Sequence, residues 1–452
     1  MDYIANFCSS YLCSVFGLLL LVFEVSCSQF IGADELSATL NHFEVLHSLD
    51  VRHRTKRYVD PEKTDDFHQV WIPAFGKQFH LSMKKSMILS HDFRTTLIDR
   101  DGSSQDFLRS SYDFYSGTLH GEKDTQVNVY WEDGLLTASI VTAEEVYFVE
   151  PARRYMSTAL NHTLIVYRKS DLKVAQDPWD GMMSNLKTPC KYQRNTTVMQ
   201  NMQQNQEQKG PDRWKRAVDF GNRKYCRIIL VADHYFHENI GRGSILATQN
   251  YMIGVLDRVN SIYQTTSWPD DSGVTGLGFE ISKIIIHLEP SEGDHYNQAN
   301  RQTDMGDTLD IFSSEFFLNG ACLVHLFTYS AFQQDLGLAF IASWRSGDFG
   351  GICSPMSYAD KMAGNTGLTS LRNRVGNTVL TLQSTIITAH ELGHNWGSGH
   401  DNTDSPECSD FYIMYPTSQE GTQSNNVVCI EGSTHQLMWY KERGHSLKQC
   451  GM

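Results

Sequence analysis

Between residues 388 and 401 the chain reads "TAHELGHNWGSGHD", and no other stretch restricts the fold as tightly. It closes a longer run, "TVLTLQSTIITAHELGHNW", whose apolar spacing predicts a helix. His390 and His394 stand at i and i+4, so on a helix their imidazoles share one face and can grip one ion. Glu391 is rotated by about a third of a turn, in reach of a water on that ion rather than of the ion itself. Gly397 takes φ > 0 at little cost, so it can end the helix and turn the chain back. His400 is then placed to supply a third nitrogen. Three protein ligands leave the fourth position of a Zn2+ ion open, which separates a catalytic site from a structural one.

One zinc ion held in this way lowers the pKa of water from about 15.7 to about 7 and polarises a carbonyl. Glu391 would accept the proton and pass it to a leaving amine, which is peptide hydrolysis without an acyl-enzyme. The competing reading is a helix that carries structural histidines and no metal. Against it stands the full spacing H-E-x-x-H-x-x-G-x-x-H, the metzincin signature, which expects a Met-turn downstream. "FYIMYPT" offers Met414, fourteen residues after His400, as a hydrophobic floor beneath the metal. His325 and His435 read as ordinary structural or surface residues.

The chain has 452 residues, more than one compact domain usually uses. Its apolar share of 40% suffices for an ordinary core, and its net charge of −14 argues against nucleic acid as the main partner. The start, with an apolar run from Val15 to Phe23 and small residues Ser26 to Ser28, reads as a secretory signal peptide over residues 1–28. No other stretch reaches the length of a transmembrane helix. These readings place the protein in the secretory pathway, secreted or at the cell surface. There Asn161 and Asn195 are candidate glycosylation sites.

Two basic clusters divide the rest of the chain. "RHRTKR" ends at Arg57, and "RWKR" ends at Arg216 after the polar stretch "QNMQQNQEQKGPD", which reads as an exposed linker. Both resemble sites for a furin-type proprotein convertase, with cleavage after Arg216 the stronger expectation because exposed linkers are where proteolysis occurs. Between them, "QVNVYW", "LLTASIV", "VYFVE" and "TLIVY" predict short strands of a β-rich unit. Beyond Arg216 the pattern changes. "CRIILVADHYF", "FEISKIIIHLE", "CLVHLFTY" and "LGLAFIAS" predict strands. "ILATQNYMIGVLDRVNSIYQ" (apolar at Ile245, Tyr251, Met252, Val255, Val259 and Ile262), "DTLDIFSSEFF" and "HQLMWYKERGH" predict helices. Strands alternating with helices give an α/β class with a mostly parallel sheet.

The stretches "VADHYFHENIGRG", "RVNSIYQTTSW", "HLFTYSAF", "LGLAFIAS", "GGIC", "GLTS" and "TAHELGHNWGSGHD" together resemble the catalytic domain of the ADAM (adamalysin, reprolysin) zinc metalloproteases. Residues 29–216 resemble that family's prodomain more loosely. The resemblance implies a metzincin fold over residues 217–452: a twisted, mostly parallel five-stranded sheet with flanking helices, above a small C-terminal subdomain. The β-rich prodomain would precede it. It implies that the backbone of Leu336, Gly337 and Leu338 pairs with substrate, and that the chain around Tyr412 to Thr417, Tyr415 included, walls the S1′ pocket. It also implies the disulfides Cys226–Cys322, Cys353–Cys450 and Cys408–Cys429, one of 15 pairings that six cysteines allow.

Cys190 in "KTPCKYQ" is left over. By resemblance it is a cysteine switch, whose thiolate fills the fourth zinc position until cleavage after Arg216 releases it. A free thiol, or a disulfide to another chain, is the alternative. Lys191 follows it where the family's commoner pattern has Gly. Family members continue into a disintegrin-like, cysteine-rich region and a transmembrane helix; here the sequence stops at "KQCGM". The expected function is thus a latent zinc endopeptidase acting on extracellular or membrane-proximal polypeptides, cell-surface ectodomains above all. The alternatives are a soluble secreted reprolysin acting on matrix proteins, or a truncated non-catalytic, inhibitory form.

Overall fold

The computed structural model describes residues 36–56, 67–107, 113–156, 162–173, 225–266, 276–299, 304–316, 320–332, 335–342, 349–352, 361–400 and 413–414. The N-terminal part is rich in strands, as its alternating sequence predicts: β1 (Glu44–His47), β2 (Arg52–Lys56), β3 (Phe67–Ala74), β4 (Lys77–Lys85), β5 (Leu89–Ile98), β6 (Ser104–Phe107), β7 (Phe114–Leu119), β8 (Glu122–Glu132), β9 (Leu135–Val141), β10 (Val146–Pro151) and β11 (Thr163–Arg168). Nine of them form one antiparallel sheet in the order β1-β11-β10-β9-β8-β7-β4-β3-β2. Its turns follow from local chemistry. Asp133 and Gly134, joining β8 to β9, both have φ > 0 (49° and 79°), the twist that matches a tight hairpin.

The second sheet carries β12 (Tyr225–Ala232), β13 (Gly278–His287), β14 (Leu323–Thr328), β15 (Gly337–Ala339) and β16 (Thr366–Ser370). Four of these run parallel and β15 antiparallel, so the second half supplies five mostly parallel strands. Among the described residues four helices accompany them: α1 (His234–Asn239), α2 (Ile245–Thr265), α3 (Met305–Glu315) and α4 (Thr381–Asn395); the expected helix "HQLMWYKERGH" lies outside those residues. The run "CRIILVADHYF" is therefore a strand only as far as Ala232. Asp233 caps α1 by accepting from the Phe236 N–H at 2.8 Å, which turns "HYF" into the first turn of a helix.

The expected five-stranded sheet is larger than the sequence suggests. Its full order is β15-β16-β14-β12-β13-β5-β6, so a hairpin from the first half completes a sheet of the second. β5 lies parallel to β13, from Ile281 opposite Leu89 to His287 opposite Ile98, and β6 closes the edge. The physical reason is an open strand edge. The β13 backbone would otherwise present unpaired N–H and C=O groups, and β5 satisfies them. One apolar core consequently spans both halves. Ile88, Leu97, Phe114 and Tyr130 pack with Ile228, Val255, Ile284 and Trp396.

The helices are bonded to the N-terminal sheet as well. Asp257 of α2 accepts from Ser86 Oγ and Asn128 Nδ2, both at 2.7 Å. Gly254 lies so close to the Tyr130 ring that a Cβ there would overlap it. At the start of α4, the Thr381 N–H donates to Tyr155 Oη at 3.2 Å, and Thr381 Oγ1 donates to the buried Glu150 carboxylate. Cys226 and Cys322 form the expected disulfide, tying the start of β12 to the residue before β14.

Candidate metal centre

Helix α4 delivers the histidines, and its position is fixed from the side facing away from them. It packs on α2 through Tyr251 Oη and Ser384 Oγ at 2.9 Å, Arg258 Nε donating to Thr385 Oγ1 at 3.1 Å, and Tyr263 Oη donating to the Ala389 carbonyl at 2.8 Å. The helix ends where the sequence says it should. Gly397 has φ +94°, and the N–H groups of Gly397 and Ser398 return to the carbonyls of His394 and Gly393 at 2.9 Å. That turn brings His400 back over the helix. The ring centroids of His390, His394 and His400 lie 4.6, 4.9 and 5.2 Å apart, and one nitrogen from each falls within 4.8 Å of the others.

The tautomers are set by the backbone. His390 Nδ1 meets the Ile413 carbonyl at 2.6 Å and His394 Nδ1 meets the Ser398 carbonyl at 2.8 Å. A carbonyl only accepts, so each Nδ1 carries the proton and each Nε2 keeps its lone pair. His394 Nε2 is buried and makes no hydrogen bond within the protein. A buried acceptor of this kind needs a partner, and a metal ion at the meeting point of the three imidazoles would provide it. Burial, and then the neighbouring His390 and His400, holds the His394 pKa well below the usual histidine range, and burial lowers that of His390. Both shifts favour the neutral imidazole, the form that metal binding requires.

Glu391 is 3% exposed, and burial followed by the nearby Asp335 raises its carboxyl pKa well above the ordinary value. β15 passes directly beside it. A Cβ on Gly337 would stand 2.5 Å from Glu391 Oε1, so any larger residue here pushes that side chain aside. β15 is also the outer strand of its sheet, paired on one side with β16 through Gly337–Thr369, Leu338–Leu368 and Ala339–Gly367. It covers less of "LGLAFIAS" than predicted, with Leu336 just before it. Met414 is fully buried under the helix, and a Cβ on Gly393 would overlap its sulfur.

His325, read as structural, is buried and bonded through Nε2 to Thr369 Oγ1 at 2.9 Å. Sequence reasoning missed two residues that hold the site. Tyr263 supports the backbone at Ala389, and Asn395 donates to the carbonyls of Phe340 and Thr366 at 2.9 and 3.0 Å, coupling the end of α4 to the sheet. Their only sequence signal is the placing of polar groups among apolar ones, which does not name a partner. Arg57, Asn161, Cys190, Asn195, Arg216, Cys353, Cys408, Cys429, Tyr415, His435 and Cys450 lie outside the described residues.

Comparison with known proteins agrees with this geometry. Residues 222–428 match the family model Reprolysin_5, Metallo-peptidase family M12. "Disintegrin and metalloproteinase domain-containing protein 10" of Bos taurus is 29% identical over 86% of this chain and 54% of its own length. These matches support a likeness to the ADAM/reprolysin metalloproteases, with the family model itself covering residues 222–428. The Homo sapiens protein of the same name is also 29% identical, over 86% of this chain and 54% of its own. The Caenorhabditis elegans "Disintegrin and metalloproteinase domain-containing protein 17 homolog" is 32% identical over 48% of this chain and 36% of its own. The chain thus spans about half the length of the curated relatives it matches. Stretches such as "VADHYFHENIGRG" and "HLFTYSAF" look most like tumour necrosis factor-α-converting enzyme, but these matches support the family likeness and not that finer one. A solved structure described as "Structure of a chaperone-substrate complex" aligns at 11% identity with a TM-score of 0.29, over 48% of this chain and 35% of that one. That likeness is too slight to carry an argument. Among the described residues no helix is long and apolar enough to cross a membrane.

Proposed function

We propose that this chain is a zinc endopeptidase made as a latent precursor, hydrolysing extracellular or membrane-proximal polypeptides. The convergence of His390, His394 and His400 within 4.8 Å, with the Glu391 carboxyl on the same helix, carries the reading. The three Nε2 atoms would hold the ion, which when bound supplies a Lewis acid for the scissile carbonyl and for the attacking water. Glu391 takes the proton from that water and returns it to the leaving amine. Its dry pocket strengthens this exchange, because an ion beside it favours the carboxylate that burial alone disfavours. The outer edge of β15 offers backbone groups to an extended substrate, so Leu336, Gly337 and Leu338 align the chain to be cut. Met414 and Gly393 close the floor, and Tyr415 contributes to the pocket beyond the scissile bond.

Latency rests on Cys190 as the fourth ligand, relieved by cleavage after Arg216. Processing in the secretory pathway, the disulfides Cys353–Cys450 and Cys408–Cys429, and glycans on Asn161 and Asn195 belong to the same reading. The test compares wild type with Glu391→Ala, each before and after a furin-type convertase. Both proteins bind zinc; only processed wild type cleaves a peptide library, and the variant falls by about 10²- to 10⁴-fold. Equal activity in the variant sinks the assignment of Glu391.

A further inference from the structure

The run "DLGLAFIA" that carries β15 holds a single charged side chain, Asp335, two residues before Gly337. Asp335 is exposed. Antiparallel bonding to β16 continues back as far as Leu336, whose carbonyl accepts from the Ser370 N–H at 2.7 Å. Side chains alternate along such a run, so Asp335 stands on the same face as Gly337, about 7 Å further along. That face is the one turned to α4. A Cβ on Gly337 would meet Glu391, and a Cβ on Gly367, the partner of Ala339, would meet Ala339 and Asn395. Electrostatics agree with this placement, because the Asp335 charge acts on the Glu391 carboxyl. Asp335 is not one of the three residues grouped to hold an ion, which are His390, His394 and His400. Its charge is instead presented to a chain running along β15.

We propose that Asp335 sets substrate preference, selecting polypeptides with a lysine or arginine close to the cut bond, at the position that faces it across the edge of β15. This rests on the reading of the chain as an endopeptidase that aligns its substrate on β15. Directly opposite residues of paired strands place their Cβ atoms about 5 Å apart on one face, within reach of a long basic side chain. The favoured basic residue therefore lies two positions from the residue that passes Gly337 and Glu391. A glutamate in the same place meets the like charge of Asp335 and is disfavoured. The apolar remainder of "LGLAFIA" offers no competing charge along this edge.

The test uses processed protein freed of convertase. Its substrates are peptides of one neutral cleavable sequence that carry lysine, glutamine or glutamate at each position in turn around the cut bond. For each peptide, kcat/KM is measured and the cut bond identified. Wild type prefers lysine over glutamine by about 2- to 5-fold at one position, and lysine over glutamate by about 10-fold; both preferences shrink in high salt. Asp335→Asn brings lysine and glutamine to parity. Asp335→Lys reverses the order in favour of glutamate, which a merely damaged fold does not produce. Cleavage by wild type with no basic preference at any position, or an unchanged preference in Asp335→Lys, overturns this proposal alone. Failure of processed wild type to cleave any peptide overturns the endopeptidase reading together with it.

Discussion

Two glycines bear more of the candidate site than their size suggests. Gly337 has no side chain because the Glu391 carboxyl occupies that space, and Gly393 has none because the Met414 sulfur does. Gly337→Ala therefore displaces the Glu391 carboxyl, the proposed proton carrier, without touching any of the three histidines. The expected result is a loss of about 10²-fold in kcat with zinc content unchanged, measured by steady-state hydrolysis beside metal analysis. An unchanged kcat contradicts the close approach of β15 to Glu391. The histidines, Glu391 and Gly397 were legible in the sequence because helical spacing alone brings i and i+4 together, and only a glycine turns the chain back. Asn395 and Tyr263 were not legible, since their partners, Phe340, Thr366 and Ala389, lie far away in sequence or on another helix.

Among the elements, α4 has an unusual arrangement at its start. Its N-cap position, Leu380, has no side-chain oxygen, and the group beneath the first turn comes from 226 residues earlier, the Tyr155 hydroxyl. Glu150 lies behind it, accepting from Tyr155 Oη at 2.6 Å and Tyr167 Oη at 2.5 Å, with its negative charge at the positive end of the helix. Tyr155→Phe leaves the Thr381 N–H unpaired in a dry site, so a loss of about 1–2 kcal/mol is expected in chemical denaturation. The disulfide encloses a separation of 96 residues, and Cys226→Ser with Cys322→Ser should cost about 2–4 kcal/mol in the same experiment. The individual elements followed from alternation and helical periodicity. Their partners did not: nothing in "LSHDFRTTLI" says that this strand belongs with β13 and not with its sequence neighbours β4 and β7.

At the scale of the whole molecule, the two halves share a sheet and a core, and the histidine centre sits at the opposite end of α4 from Thr381. The N-terminal half thus supports the C-terminal half from behind, through β5, Asp257 and Thr381. On the proposed reading, everything at the other end of α4 turns on three imidazoles that would hold one zinc ion on which hydrolysis would depend. The decisive measurement strips the processed protein with a chelator, returns zinc in steps, and records bound metal and peptide hydrolysis together. Activity should vanish with the metal and rise in proportion to zinc up to one ion per chain, while His394→Ala neither retains the ion nor cleaves. Hydrolysis that persists in the stripped protein, or one tightly bound zinc with no hydrolysis after confirmed cleavage at Arg216, contradicts this.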